Sequence, residues 1–143
     1  MTTMIELACG ADPHLHVAGR CPNRSATDAH VLLVDDDDDY RGILAAALKA
    51  MGFDVEEASN GADAFEKALA RVPCAIVTDF AMPRVDGGQL VHLLAQDPRA
   101  RATPVMLISA MPDMIPLDVR LGCAAVLAKP CSPEVVAGML RML

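Results

Sequence analysis

Lysine is the scarcest charged residue type in this chain. Only Lys49, Lys67 and Lys129 occur in 143 residues, and the net charge is −7. No basic run or basic helix face is present, which argues against direct binding of nucleic acid. Aromatic residues are almost as rare: Tyr40, Phe53, Phe65 and Phe80, with no tryptophan. No apolar run reaches the length of a membrane span. The N-terminus has neither a basic start nor an apolar stretch behind it, so a secretory signal is not expected. The five cysteines (Cys9, Cys21, Cys74, Cys123, Cys131) are odd in number and irregularly spaced. They do not form a disulfide framework, and the expectation is reduced thiols in a cytoplasmic protein.

What is present is apolar residue in quantity. At 53% hydrophobic, the chain is far from disordered composition, and its length suits one domain with one sizeable core. Residues 1–29 are the exception. They mix Gly, Pro, Thr, Asn and His without periodicity and are expected to be a disordered tail ahead of a domain over 30–143. The tail places Cys9, His14, His16 and Cys21 in the spacing C-x4-H-x-H-x4-C, which matches no dependable zinc pattern.

From His30 the pattern alternates. Apolar strands are expected at His30–Val34, Phe53–Ala58, Cys74–Thr78, Pro104–Ile108 and Ala124–Ala128. Between them lie helical stretches at Tyr40–Met51, with Ile43, Leu44, Ala47 and Leu48 on one face, and at Gly61–Arg71, with Ala64, Phe65, Ala68 and Leu69 inward. A third covers Gly87–Gln96 with Leu90, Leu93 and Leu94 together. A weak helix near Leu117–Leu121 is interrupted upstream by Pro112 and Pro116, and Ser132 and Pro133 open a last one. The second strand alternates Phe53 and Val55 with Asp54 and Glu56, as a half-exposed edge strand does. Five β–α units predict an α/β fold, an open doubly wound parallel sheet with helices on both faces.

In such sheets ligands bind outside the carboxyl ends of the strands. The first strand ends at Asp35 and Asp36, the third at Asp79, the fourth at Ser109 and the fifth at Lys129. The stretch Val31–Tyr40, VLLVDDDDDY, sets five aspartates at the first of these ends. Two carboxylates about 5 Å apart repel by roughly 3 kcal/mol at an effective dielectric near 20. A helix N-terminus returns only about 0.3–1 kcal/mol per acid. The run therefore divides: Asp37, Asp38 and Asp39 are solvated acids at a helix start, whereas Asp35 and Asp36 face Asp79 and call for a hard cation. Oxygen ligands of this kind suit Mg²⁺.

The segment Val77–Gly87, VTDFAMPRVDG, resembles the phosphoacceptor loop of the receiver domains of two-component response regulators, with Met82, Pro83, Asp86 and Gly87 in the familiar places. The pair Asp35–Asp36, Ser109–Ala110 after PVMLI, and Lys129–Pro130 after VLA are similar to the same family, over about residues 30–143. The resemblance implies a flavodoxin-like five-stranded sheet in the order 2-1-3-4-5. It implies Asp79 as the acceptor of a phosphoryl group from a histidine kinase or histidine phosphotransfer protein, with Mg²⁺ as cofactor and an unnamed protein as downstream partner. Asp36 and Asp79 would ligate the ion directly, Asp35 through water, and the Ala81 backbone carbonyl would add an oxygen. Ser109 and Lys129 would hold phosphoryl oxygens, Ala110 would leave room for them, and the Lys129–Pro130 bond would be cis. Such a domain is a signalling module that assists its own phosphorylation and dephosphorylation rather than an enzyme acting on other substrates.

Two rivals are weaker. A haloacid-dehalogenase-type phosphatase could use Asp35-x-Asp37, Ser109 and Lys129, but lacks the acidic pair beyond the lysine and leaves Asp79 idle. A non-phosphorylated interaction module of the same fold would not need the full acidic, hydroxyl and lysine set. Two departures from the family touch the output face: Val126 stands where receivers often carry an aromatic residue, and Pro116 falls where the fourth helix belongs.

Overall fold

A computed structural model describes residues 29–143. The tail expected over 1–29, with its Cys and His residues, falls outside them except for Ala29. The element order is β1 (His30–Val34), α1 (Asp38–Ala50), β2 (Asp54–Ala58), α2 (Gly61–Ala70), β3 (Ala75–Asp79), α3 (Gly87–Gln96), β4 (Val105–Ser109), a 3-10 turn (Pro112–Met114), α4 (Leu117–Leu121), β5 (Ala125–Ala128) and α5 (Pro133–Met142). The strands form one parallel sheet in the order β2-β1-β3-β4-β5, as the sequence leads one to expect.

The two-residue strand period divides the core into two layers. Leu32, Val34, Ile76, Leu107 and Val126 face one side, where Ala64, Ala68, Leu90, Val91, Leu94 and Val119 from α2, α3 and α4 cover them. Val31, Leu33, Val77, Met106, Ile108 and Ala125 face the other, under Leu44 and Leu48 of α1 and Val136, Ala137 and Leu140 of α5. Each large side chain buried this fully is worth about 1.5–3 kcal/mol, and the central strands β1, β3 and β4 are buried at every position. That burial on both faces makes their sequences continuous apolar runs rather than alternating ones.

Helix ends are set by local chemistry. The Asp37 side chain caps α1 by accepting from the Asp39 and Tyr40 N–H groups, and Gly52, at φ 97°, turns the chain out of that helix. Asp86 and Gln89 close a reciprocal capping box on α3. Ser132 caps α5 with Pro133 in its first turn.

Three expectations are corrected. Ile43 is 70% exposed, and α1 instead packs through Leu44, Ala45 and Leu48. In α3, Val91 rather than Leu93 joins Leu90 and Leu94 inside. Both errors are one step around the helix, because periodicity gives the width of an apolar face but not which edge of it meets the sheet. The third concerns cysteine: Cys123 and Cys131 are free thiols, whereas Cys74 is disulfide-bonded. Pairing depends on how closely two sulfurs approach in space, which spacing along the chain does not reveal.

Candidate functional site

The carboxyl ends of β1, β3, β4 and β5 share one rim, and the side chains expected there are together. Asp35 is buried. Its Oδ1 accepts from the Asp37 N–H at 2.9 Å and its Oδ2 accepts from Lys129 Nζ at 2.9 Å. Arg41 Nη1 donates to the Asp35 carbonyl at 2.7 Å while its Nε holds Glu57, tying α1 to the ends of β1 and β2. Asp79 is 9% exposed, and its Oδ1 lies 3.5 Å from the same Lys129 ammonium. Asp36 is exposed at the mouth. Asp35, Asp36 and Asp79 each offer an oxygen within 4.8 Å of the others. Asp37 is elsewhere, occupied as the cap of α1, and Asp38 and Asp39 lie in its first turn.

Among the described residues, one lysine ammonium faces these three carboxylates and does not neutralise them. Burial, and then the charge of Asp35, push the Asp79 carboxyl up to about 6, although Lys129 pulls it the other way. Burial lowers the Lys129 ammonium, but its hydrogen bond to Asp35 and the charges of Asp35 and Asp79 outweigh that and raise it. The cluster is therefore anionic, oxygen-only and under-compensated. A small hard dication such as Mg²⁺ would suit that donor set, which offers only carboxylate oxygens within 4.8 Å of one another.

Ser109 closes β4 and is buried, and its Oγ accepts from the Met111 N–H at 3.0 Å, leaving its proton to donate elsewhere. Ala110 beside it is small and exposed, and Ala81 is exposed two residues beyond Asp79. The Lys129–Pro130 peptide is cis. The loop from Asp79 to α3 is drawn tight. The Gly87 N–H donates to the Phe80 carbonyl at 2.8 Å, and a Cβ on Gly87 would sit 2.5 Å from the Asp79 carbonyl oxygen. Arg84 takes a left-handed conformation at φ 67° to make the turn.

Sequence reasoning passed over Tyr40 and Arg41. The Tyr40 ring lies 4.4 Å from Lys129 Nζ. Its place in the first turn of a helix that begins beside the aspartate pair was the available signal. Burial raises the Cys131 thiol, which disfavours its thiolate form.

Residues 31–141 match the family model of the response regulator receiver domain. The chain belongs to the response regulator receiver family. It is 33% identical over 117 residues to the response regulator Rre1 of Synechocystis sp., covering 79% of this chain and 50% of that protein. It is 37% identical over 101 residues to the gliding motility regulatory protein of Myxococcus xanthus, covering 71% of this chain and 13% of that one. The chain thus spans half or less of these curated relatives. The chemotaxis response regulator CheY4 of Vibrio cholerae superposes with a TM-score of 0.72 at 28% identity, covering 82% of this receiver and all of that chain, 100%. Receiver domains are signalling modules rather than classical enzymes. Among the described residues no helix is long and apolar enough to cross a membrane.

Proposed function

We propose that this receiver takes a phosphoryl group onto Asp79 from the phosphohistidine of a sensor kinase or histidine phosphotransfer protein, and that the modified domain then engages a downstream protein. The observation that carries the reading is the Asp79 carboxylate itself. It is nearly buried at a strand end, shares its cluster with Asp35 and Asp36, and lies 3.5 Å from the Lys129 ammonium.

One carboxylate oxygen of Asp79 attacks phosphorus, the P–N bond breaks, and the departing imidazole keeps the electron pair and takes a proton from solvent. Three phosphoryl oxygens need partners as the charge redistributes. Lys129 moves from Asp35 toward one of them, and the Ser109 hydroxyl donates to another. Asp36, Asp79 and the Ala81 carbonyl would hold Mg²⁺ directly and Asp35 through a water, and the bound ion would supply neutralisation of charge on the phosphoryl oxygens. Asp35 thereby has a second task, keeping the lysine at the rim until the phosphoryl group arrives.

Intact mass after incubation with acetyl phosphate tests this. One phosphoryl adduct is expected in the presence of Mg²⁺. The Asp79→Asn protein and excess chelator should each abolish it. An adduct that survives both would assign the modification elsewhere.

A further inference from the structure

Tyr40 belongs to none of the roles above, yet its ring lies against the site. It enters from α1, whereas Lys129 enters from β5 at the far side of the sheet, and the Nζ sits 4.4 Å from the ring centroid. The Tyr40 hydroxyl interacts with the Cys131 backbone and not with the ammonium. The ammonium is bracketed instead by three electron-rich groups: Asp35 Oδ2 at 2.9 Å, Asp79 Oδ1 at 3.5 Å and the ring face. A lysine stem is long and flexible, and an ammonium that is to meet an incoming phosphoryl oxygen gains from being held in place beforehand. Of the three groups, the two carboxylates become engaged elsewhere once an ion and a phosphoryl group arrive. The ring does not.

We infer that Tyr40 is a positioning residue for the phosphoryl site, its ring face keeping the Lys129 ammonium at the rim while the carboxylates around it change partners. This rests on the acceptor reading of Asp79 and Lys129. Tyr40 touches no reacting atom and acts only through the lysine. What it contributes is the negative face of the ring, so the hydroxyl is dispensable and the ring is not. A partly desolvated cation–π contact corresponds to roughly twofold to thirtyfold in an equilibrium constant.

The test is a titration of the full-length protein with beryllofluoride and Mg²⁺, as a mimic of the phosphoryl group. Tyr40→Phe should bind within about twofold of the unaltered chain, and Tyr40→Leu about threefold to tenfold more weakly. Phenylalanines carrying one, two and three fluorines at position 40 preserve ring shape while draining the face of charge, and should weaken binding stepwise. In a Lys129→Ala background each of these changes should have no effect. A second readout needs no ligand. In chelator, the unfolding equilibria of Tyr40→Leu, Lys129→Ala and the double variant should show coupling of at least about twofold. Undiminished binding by Tyr40→Leu, indifference to fluorine, or equal losses with and without Lys129 would overturn the inference. If Lys129→Ala binds beryllofluoride as well as the unaltered chain, the reading of the site itself fails, and this inference with it. If Tyr40→Leu does not fold, the fluorinated series decides alone.

Discussion

Asp79 is a carboxylate kept where it is least comfortable. Its pKa in the folded protein, about 6, lies above the ordinary 3.8. The folded state therefore holds this proton more tightly than the unfolded chain. As pH rises from about 4 to about 6 the fold loses stability from this group, and above that the penalty is complete. Asp79→Asn removes the charge and should stabilise the metal-free protein at pH 7 by about 1–2 kcal/mol, allowing for solvent screening through the exposed mouth of the site. The gain should vanish near pH 4, where the native carboxyl is already protonated. Urea denaturation at the two pH values, in chelator, measures both. A gain of equal size at pH 4 would show that it does not come from this charge. Residues such as Asp79 were legible in the sequence because strand ends are local features. The approach of Lys129 to Asp35 was legible only as a shared rim. That Tyr40 covers the same ammonium depends on how α1 lies across the sheet, which no spacing in VLLVDDDDDY encodes.

The loop from β3 to α3 decides where Asp79 points, and its two unusual positions make opposite forecasts. Arg84 holds a left-handed conformation that a side chain disfavours by roughly 1–2 kcal/mol. Arg84→Gly should accordingly raise stability by up to about 1 kcal/mol, since glycine also gains entropy when unfolded. At Gly87 an added methyl would press on backbone, 2.5 Å from the Asp79 carbonyl oxygen and 2.9 Å from Phe80 Cα. Gly87→Ala should cost about 2 kcal/mol or more and impair phosphorylation as the Asp79 backbone shifts. Gly88→Ala meets only side-chain atoms, at 3.2 Å, and should be much milder. Chemical denaturation of the three variants, with adduct formation on Gly87→Ala, checks the set. A Gly87→Ala protein as stable as Gly88→Ala would mean that the loop yields freely. The helices themselves were legible as elements, but Ile43 and Leu93 show that their inward edge is settled by contact with the sheet.

Across the whole molecule, the site is joined to the surface through Ser109. Its Oγ accepts from the Met111 N–H, so a hydroxyl that turns toward a phosphoryl oxygen alters the first hydrogen bond of the following segment. That segment carries the exposed side chains of Met111, Met114, Leu117 and Leu121, and its helix α4 has only five residues. Val126 on β5 is buried and β-branched, and has no aromatic swing to offer. Phosphorylation should therefore act mainly on residues 110–121. Amide hydrogen exchange with and without beryllofluoride should show its largest changes there, and changes confined to residues 124–128 and α5 would contradict this. The strand order was legible because consecutive β–α units and right-handed crossovers leave few alternatives. How far the short α4 stands open was not, because Pro116 marks where that helix starts but not what packs around it.

The single tyrosine has an optical consequence. With no tryptophan in the chain, near-ultraviolet emission comes almost wholly from Tyr40, whose ring borders Lys129 and whose helix begins beside the aspartate pair. Emission from this protein is thus a spectroscopic gauge set at the proposed phosphoryl site, needing no attached dye. When the ammonium leaves the ring face for another partner, the brightness of that one fluorophore should report its departure in real time.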